Sequence, residues 1–236
     1  MIKKALEYIV GLNKAEVMDI NEITYTDKHL TPVYFPLRKT LQTHTLQSLI
    51  EYIQTKDGDI FFPKYIHVED NQTVSVKSVV ESVCGGERNI YTMSNAMLPT
   101  IIFNRYLPME DFIIQLNTCF DRNQGNWKDL LALASTMQLK DEVKVSDDGI
   151  SQEVTAKQGV ARLADVTIPN PVYLAPMRTF HEVEQVLVPF VYRVDKNGNM
   201  GLFEADGGAW KLEAIKRIKE YIENNLPKDV DITILA

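Results

Sequence analysis

Glu142-Val143-Lys144 is the short string in this chain with the most definite chemistry attached. In a metal-dependent nuclease core, a carboxylate there helps hold Mg²⁺ and the lysine two residues on orients the attacking water. Such a centre needs a second acid at an upstream strand end. The upstream acids, Asp121 and Asp129, fall in or beside an expected helical hairpin, and E-x-K also recurs on any half-exposed strand. Asp147-Asp148-Gly149 offers adjacent carboxylates, but a cation loop takes further oxygens at alternating positions. Asp-Gly between alternating residues reads instead as a hairpin turn. His181, Glu182 and Glu184 resemble part of a metal site. In a strand, Glu182 and Glu184 share one face and His181 the other; in a helix, only His181 and Glu184 come together. Neither geometry assembles three ligands, so no metal and no cofactor is expected.

A richer signal runs from Gly149 to Asp195. The stretch is strongly β-forming, yet four of the ten prolines fall between Pro169 and Pro189. Proline cannot donate to a sheet ladder, so the run is not expected to be an ordinary central strand. It reads as a shaped edge, a groove wall or a subunit contact. Arg178 is the expected contact for an anion or carboxylate, with Phe180 and Tyr192 as apolar anchors and Thr179, His181 and Arg193 beside them. The competing reading is structural: Arg178 pairs internally with Glu182 or Glu184 and fixes a bend.

Other catalytic signatures are missing from the sequence. It holds no nucleophile elbow, no Walker loop and no G-x-G-x-x-G. Gly85-Gly86 and Gly207-Gly208 could let a phosphate approach the backbone, and the second pair precedes a helix whose amides suit an anion. Neither has the lysine or third glycine of a phosphate loop. Aromatics beside basic residues occur at Tyr34 to Lys39, at Tyr91 with Arg105 and Tyr106, and at Phe180, Tyr192 and Arg193. Such sets can stack single-stranded bases, but their spacing is irregular.

The elements that must position these residues come in clusters. A short helix opens at Ala5 to Leu12, and short strands are expected at Ile23 to Tyr25 and Val33 to Phe35. Thr45 suits an N-cap for a helix carrying Leu46, Leu49, Ile50 and Ile53 at helical spacing. Ile60 to Val68 and Thr73 to Val80 form a hairpin, with Arg88 to Met93 beyond. Met109 to Phe120 and Trp127 to Met137 form a helix pair around the turn at Gly125. Further strands follow at Val143 to Val145, Ile150 to Ala156, Val160 to Ile168, Val172 to Leu174, Val186 to Val194 and Met200 to Phe203. A last helix spans Ala209 to Asn225, and Asp229 to Leu235 reads as a final strand. The predicted class is α+β, a mainly antiparallel sheet with a central helix pair and a C-terminal amphipathic helix. Residues 1–236 read as one compact domain, with lobes 1–138 (mixed α/β) and 139–236 (β-rich with the C-terminal helix).

Composition narrows the partners. A formal charge of −7 disfavours bulk binding to nucleic-acid backbones, leaving room for a local basic groove or an acidic mimic. Cys84 and Cys119 are too few for a disulfide scaffold and lack metal spacing. The basic start is interrupted by Glu7 and does not read as a signal peptide, and no apolar run approaches the roughly 20 residues that span a membrane. A cytoplasmic protein is expected.

Three runs carry a likeness to known proteins: Ser146-Asp147-Asp148-Gly149-Ile150-Ser151-Gln152, then Asn170-Pro171-Val172, then Leu174-Ala175-Pro176-Met177-Arg178-Thr179-Phe180-His181-Glu182-Val183-Glu184-Gln185. With the preceding helix pair and the Phe190 to Arg193 strand, the C-terminal two-thirds resembles a family of phage and prophage proteins of unknown function, encoded in early regions near recombination genes. The resemblance implies a phage origin, the host cytoplasm, and a role in phage DNA metabolism or in blunting host defence; it brings no catalytic residues. The expectation is thus a non-enzymatic, homo-oligomeric binding protein with a host protein, a phage protein or a nucleotide as ligand. The alternatives are a metal-dependent nuclease using Glu142 and Lys144, and a sponge or decoy for a nucleotide signal.

Overall fold

The structure is a computed structural model that describes residues 2–12, 15–20, 23–26, 39–55, 63–81, 87–138, 142–147, 152–158, 161–162, 170–228 and 230–236. The fold is α+β with mainly antiparallel sheets. The N-terminal elements are α1 (Ile2–Leu12) and the antiparallel pair β1 (Val17–Ile20) and β2 (Ile23–Thr26). The expected strand at Val33 to Phe35 lies outside the described residues, as does most of the one at Val160 to Ile168.

The larger sheet has the order β14-β4-β5-β6-β3. Its centre is the expected hairpin of β4 (Pro63–Val68) and β5 (Thr73–Glu81), extended by β6 (Glu87–Asn95). Two short parallel strands flank it, β3 (Leu41–Thr43) on β6 and β14 (Thr233–Leu235) on β4. Ile66, Val68, Val74 and Val76 are buried on one face, as the period of two requires. Over them lies α2 (Leu46–Gln54), started by Thr45, whose Oγ1 accepts from the Ser48 N–H at 3.1 Å. Its buried stripe of Leu46, Leu49, Ile50 and Ile53 is the one its spacing predicts.

A second sheet, order β11-β12-β13-β7, is wholly antiparallel: β11 (Val172–Leu174), β12 (Val188–Val194), β13 (Met200–Glu204) and β7 (Tyr106–Leu107). The helix pair α3 (Met109–Cys119) and α4 (Trp127–Gln138) packs on it through Phe112, Leu116, Leu130 and Ala134. Between the helix pair and this sheet in sequence come β8 (Glu142–Asp147), β9 (Gln152–Gln158) and β10 (Ala161–Arg162), a small antiparallel sheet of their own.

The proline-bearing run does contain an interior strand, contrary to expectation. β12 lies between β11 and β13 with Pro189 as its second residue. The Pro189 carbonyl accepts from the Ala205 N–H at 3.2 Å, so the bond proline cannot donate falls one residue past the end of β13. On its other side Pro189 faces Tyr173, whose N–H and C=O turn away from β12. They meet Asn126 instead: the Asn126 N–H donates to the Tyr173 carbonyl at 2.8 Å, and Asn126 Oδ1 accepts from the Tyr173 N–H at 3.0 Å. The start of α4 thereby closes the β11 edge.

Two buried clusters result, and both draw residues from either side of position 139. The last helix, α5 (Trp210–Asn225), joins them. Trp210 and Ala214 in its first turns belong to the α3–α4 cluster, and Ile218 and Ile222 belong to the cluster beneath α2. The strap 175–187 between β11 and β12 does the same, sending Phe180 and Val183 into the α2 cluster. No described helix is long and apolar enough to cross a membrane.

Candidate ligand-binding cleft

The polar residues of the strap do not converge on a metal; Gln185 ties it together from within, and Arg178, Glu182 and Glu184 link it to other elements. Gln185 is its hub, accepting from the Arg178 N–H at 2.9 Å and donating to the carbonyls of Phe180 and Val183 at 3.1 and 3.2 Å. Asn71 in the β4–β5 turn donates to the Arg178 carbonyl at 2.8 Å. Glu182 Oε1 accepts from the Leu46 N–H at 2.8 Å, placing a carboxylate at the positive end of α2. Glu184 pairs with Arg217 of α5 at 3.5 Å. His181 is exposed and Thr179 is buried. The expected apolar anchors are core residues instead: Phe180 is 1% exposed in one cluster and Tyr192 3% in the other. Tyr192 sits at a buried position of the β12 register and Phe180 is buried in the irregular strap, so neither ring offers a surface to a partner. Burial drives the Tyr192 phenol far above its ordinary range. Arg193 is half-buried in β12.

Glu142 and Lys144 lie on β8, opposite Lys157 and Thr155 of β9. Among the described residues, no three His, Cys, Asp or Glu side chains group to hold an ion. The upstream acids have other work. Asp121 accepts from the Asn123 N–H at 2.9 Å, a bond that holds its carboxyl below the usual range, and Asp129 stands in the first turn of α4.

Of the expected set, Arg178 lines a cleft that the described residues form. A cleft of about 660 Å³ opens where the β4–β5 turn, the segment 98–103, the strap, the end of β13 and the start of α5 meet. The guanidinium carbon lies 4.2 Å from the ring centroid of Phe103, 4.5 Å from that of Trp210 and 5.2 Å from that of Phe190. Nη1 donates to Glu204 Oε1 at 2.5 Å, so the internal partner is Glu204, not Glu182 or Glu184. Nε and Nη2 are buried without a partner. Arg178 is 8% exposed. Burial pulls its pKa down while the Glu204 and Asp206 carboxylates oppose that, and guanidinium stays charged regardless.

Each wall is held from outside the cleft. Buried Gln115 of α3 clamps Ile102, accepting from its N–H at 2.7 Å and donating to its carbonyl at 3.1 Å, which fixes the neighbouring Phe103. Phe103 in turn stacks on Phe190, centroids 5.1 Å apart at 13°. Asp206 ties down the α5 start, accepting from the N–H groups of Gly208 at 3.1 Å and Trp210 at 3.0 Å. Gly207 and Gly208 have φ of +64° and +86°, and a Cβ on either would meet nothing within 4 Å. Their role is the left-handed backbone that turns the chain into α5, not space for a phosphate. Sequence reasoning missed Phe103, Glu204 and Trp210 as companions of Arg178. The one local signal was the glycine pair ahead of α5.

Comparison with family models, curated protein sequences and solved structures returned no match to this chain.

Proposed function

We propose that the chain is a non-enzymatic binding protein and that its ligand sits in the Arg178 cleft. The observation that carries this reading is a buried guanidinium with two nitrogens, Nε and Nη2, that lack hydrogen-bond partners beside an open cavity. An unsatisfied buried donor costs about 1–3 kcal/mol, more when charged, so such a group calls for an occupant that supplies the missing acceptors. The cleft does not favour catalysis. Its neighbouring carboxylates are committed, Glu204 to Arg178 and Asp206 to the α5 amides. A place in phage DNA metabolism or host-defence antagonism in the host cytoplasm is what the resemblance of the strap and its flanks to phage early-region proteins implies, and the chain is proposed to act there as a homo-oligomer.

The test is native mass spectrometry after incubation with a bacterial metabolite extract. The reading expects a discrete added mass, recovered chemically unchanged on denaturation and lost in Arg178→Met. A ligand recovered in altered form overturns the non-enzymatic assignment. Added mass that persists in the variant overturns the site. Light scattering on the same sample should give a multiple of the chain mass.

A further inference from the structure

We infer that the ligand class of this cleft is a singly charged carboxylate on an apolar body, gripped by the free Nε/Nη2 edge of Arg178. The inference rests on the cleft being the binding site. An arginine guanidinium presents two forked edges, Nε/Nη2 and Nη1/Nη2, and Glu204 is held through Nη1 alone. The unpartnered atoms are Nε and Nη2, which are neighbours on a single edge. Their two N–H bonds run parallel and match the two oxygens of one carboxylate, the strongest geometry this side chain makes.

The surroundings select the rest of the molecule. Leu98, Pro99, Ile101 and Met177 give the cleft apolar walls, which suit a hydrocarbon or aromatic body. Lys211 is exposed at the rim, with its Nζ 6.0 Å over the Trp210 ring and no ion pair among the described residues. It is a second, weaker attraction for the same anion. Against these two cations stand Glu204 and Asp206, and the whole chain carries −7. A dianion would meet that negative field with little net attraction, whereas a monoanion is held by directed hydrogen bonds to one fork. This is why a carboxylate is favoured over a phosphate monoester. Both fork atoms are shielded from bulk water, so binding requires a wall side chain to shift.

The experiment is isothermal titration of the full chain with three probes that share a phenyl ring: 3-phenylpropionate, its neutral amide and phenyl phosphate. The Trp210 indole N–H resonance reports whether a probe occupies the cleft. The acid should bind at least about tenfold more tightly than the amide, the factor expected when a hydrogen bond to a charged group is lost. Arg178→Lys keeps the charge and removes the fork, and should lose the preference for acid over amide. Lys211→Ala is a surface change that leaves folding intact and should weaken the acid about two- to fivefold while leaving the amide unmoved. Equal binding of acid and amide with a Trp210 shift overturns the carboxylate while the binding reading stands. Preference for phenyl phosphate overturns the monoanion. Failure of every probe overturns the inference, and the binding reading falls with it only if the metabolite extract also yields no mass that depends on Arg178.

Discussion

Arg178→Met should leave the protein folded with little change in stability while removing its ligand. Methionine keeps most of the volume and sets a thioether among Phe103, Phe190 and Trp210, a favourable partner for aromatic rings. The substitution removes two buried unsatisfied donors, a gain of about 1–3 kcal/mol each. It forfeits two close cation–π contacts, about 2 kcal/mol each when desolvated. It also forfeits the pair with Glu204, worth about 1 kcal/mol at most because that carboxylate is one-third exposed and can rehydrate. The backbone bonds of Arg178 to Gln185 and Asn71 are untouched. These opposing contributions leave a net change between about 1 kcal/mol of gain and about 3 kcal/mol of loss, as when a buried ion pair is replaced by an apolar side chain. Urea denaturation followed by far-UV circular dichroism measures it. A loss of more than about 3 kcal/mol would show that Arg178 is a structural ion pair, and the functional argument from its unpaired edge would collapse.

Three further outcomes follow from the same structure. Gly125→Ala should lose about 2–5 kcal/mol by denaturant midpoint, because φ is +63° and a Cβ would lie 2.1 Å from the Tyr173 carbonyl oxygen, breaking the Asn126–Tyr173 closure of β11; a loss under about 1 kcal/mol refutes that role. Phe180→Ala should cost about 3–5 kcal/mol in the same assay, since the ring is core; a stable variant defective only in binding would restore Phe180 as a contact residue. Stability should fall on acidification: burial pushes the Glu69 carboxyl up, but the Ser75 hydroxyl and the Lys77 charge outweigh it and hold the group below its ordinary 4.5. A carboxyl depressed in the fold contributes stability that is present above its unfolded value and lost as pH falls through the folded one. Ser75→Ala should therefore flatten the acid limb of a stability–pH curve, and an unchanged limb contradicts the assignment.

Much of this fold can be read locally. The stripes of α2, α3 and α5 follow from period alone, and Thr45 announces the start of α2. The parallel flanks do not: nothing in Leu41 to Thr43 or Thr233 to Leu235 names a partner, because parallel pairing depends on distant segments. Pro189 misled because its rule concerns a missing bond, and the structure places that bond beyond the end of β13. Arg178 stood out by type, yet its partners could not be found by spacing, since Glu204 is 26 residues away and Phe103 lies on another segment. Glu182 looked like part of a metal site because a carboxylate beside a histidine invites that reading; it caps a helix 136 residues earlier in the chain. Phe180 and Tyr192 are typical interface residues by composition, and only burial distinguishes a core ring from an anchor.

The most direct test of the Arg178 cleft is the arginine Nε–H resonance of that residue during titration with 3-phenylpropionate. The account predicts a saturable downfield shift of the Arg178 Nε–H, moving together with the Trp210 indole N–H and larger at saturation for the acid than for the neutral amide. An Arg178 Nε–H that stays fixed while the acid binds elsewhere on the protein would contradict it.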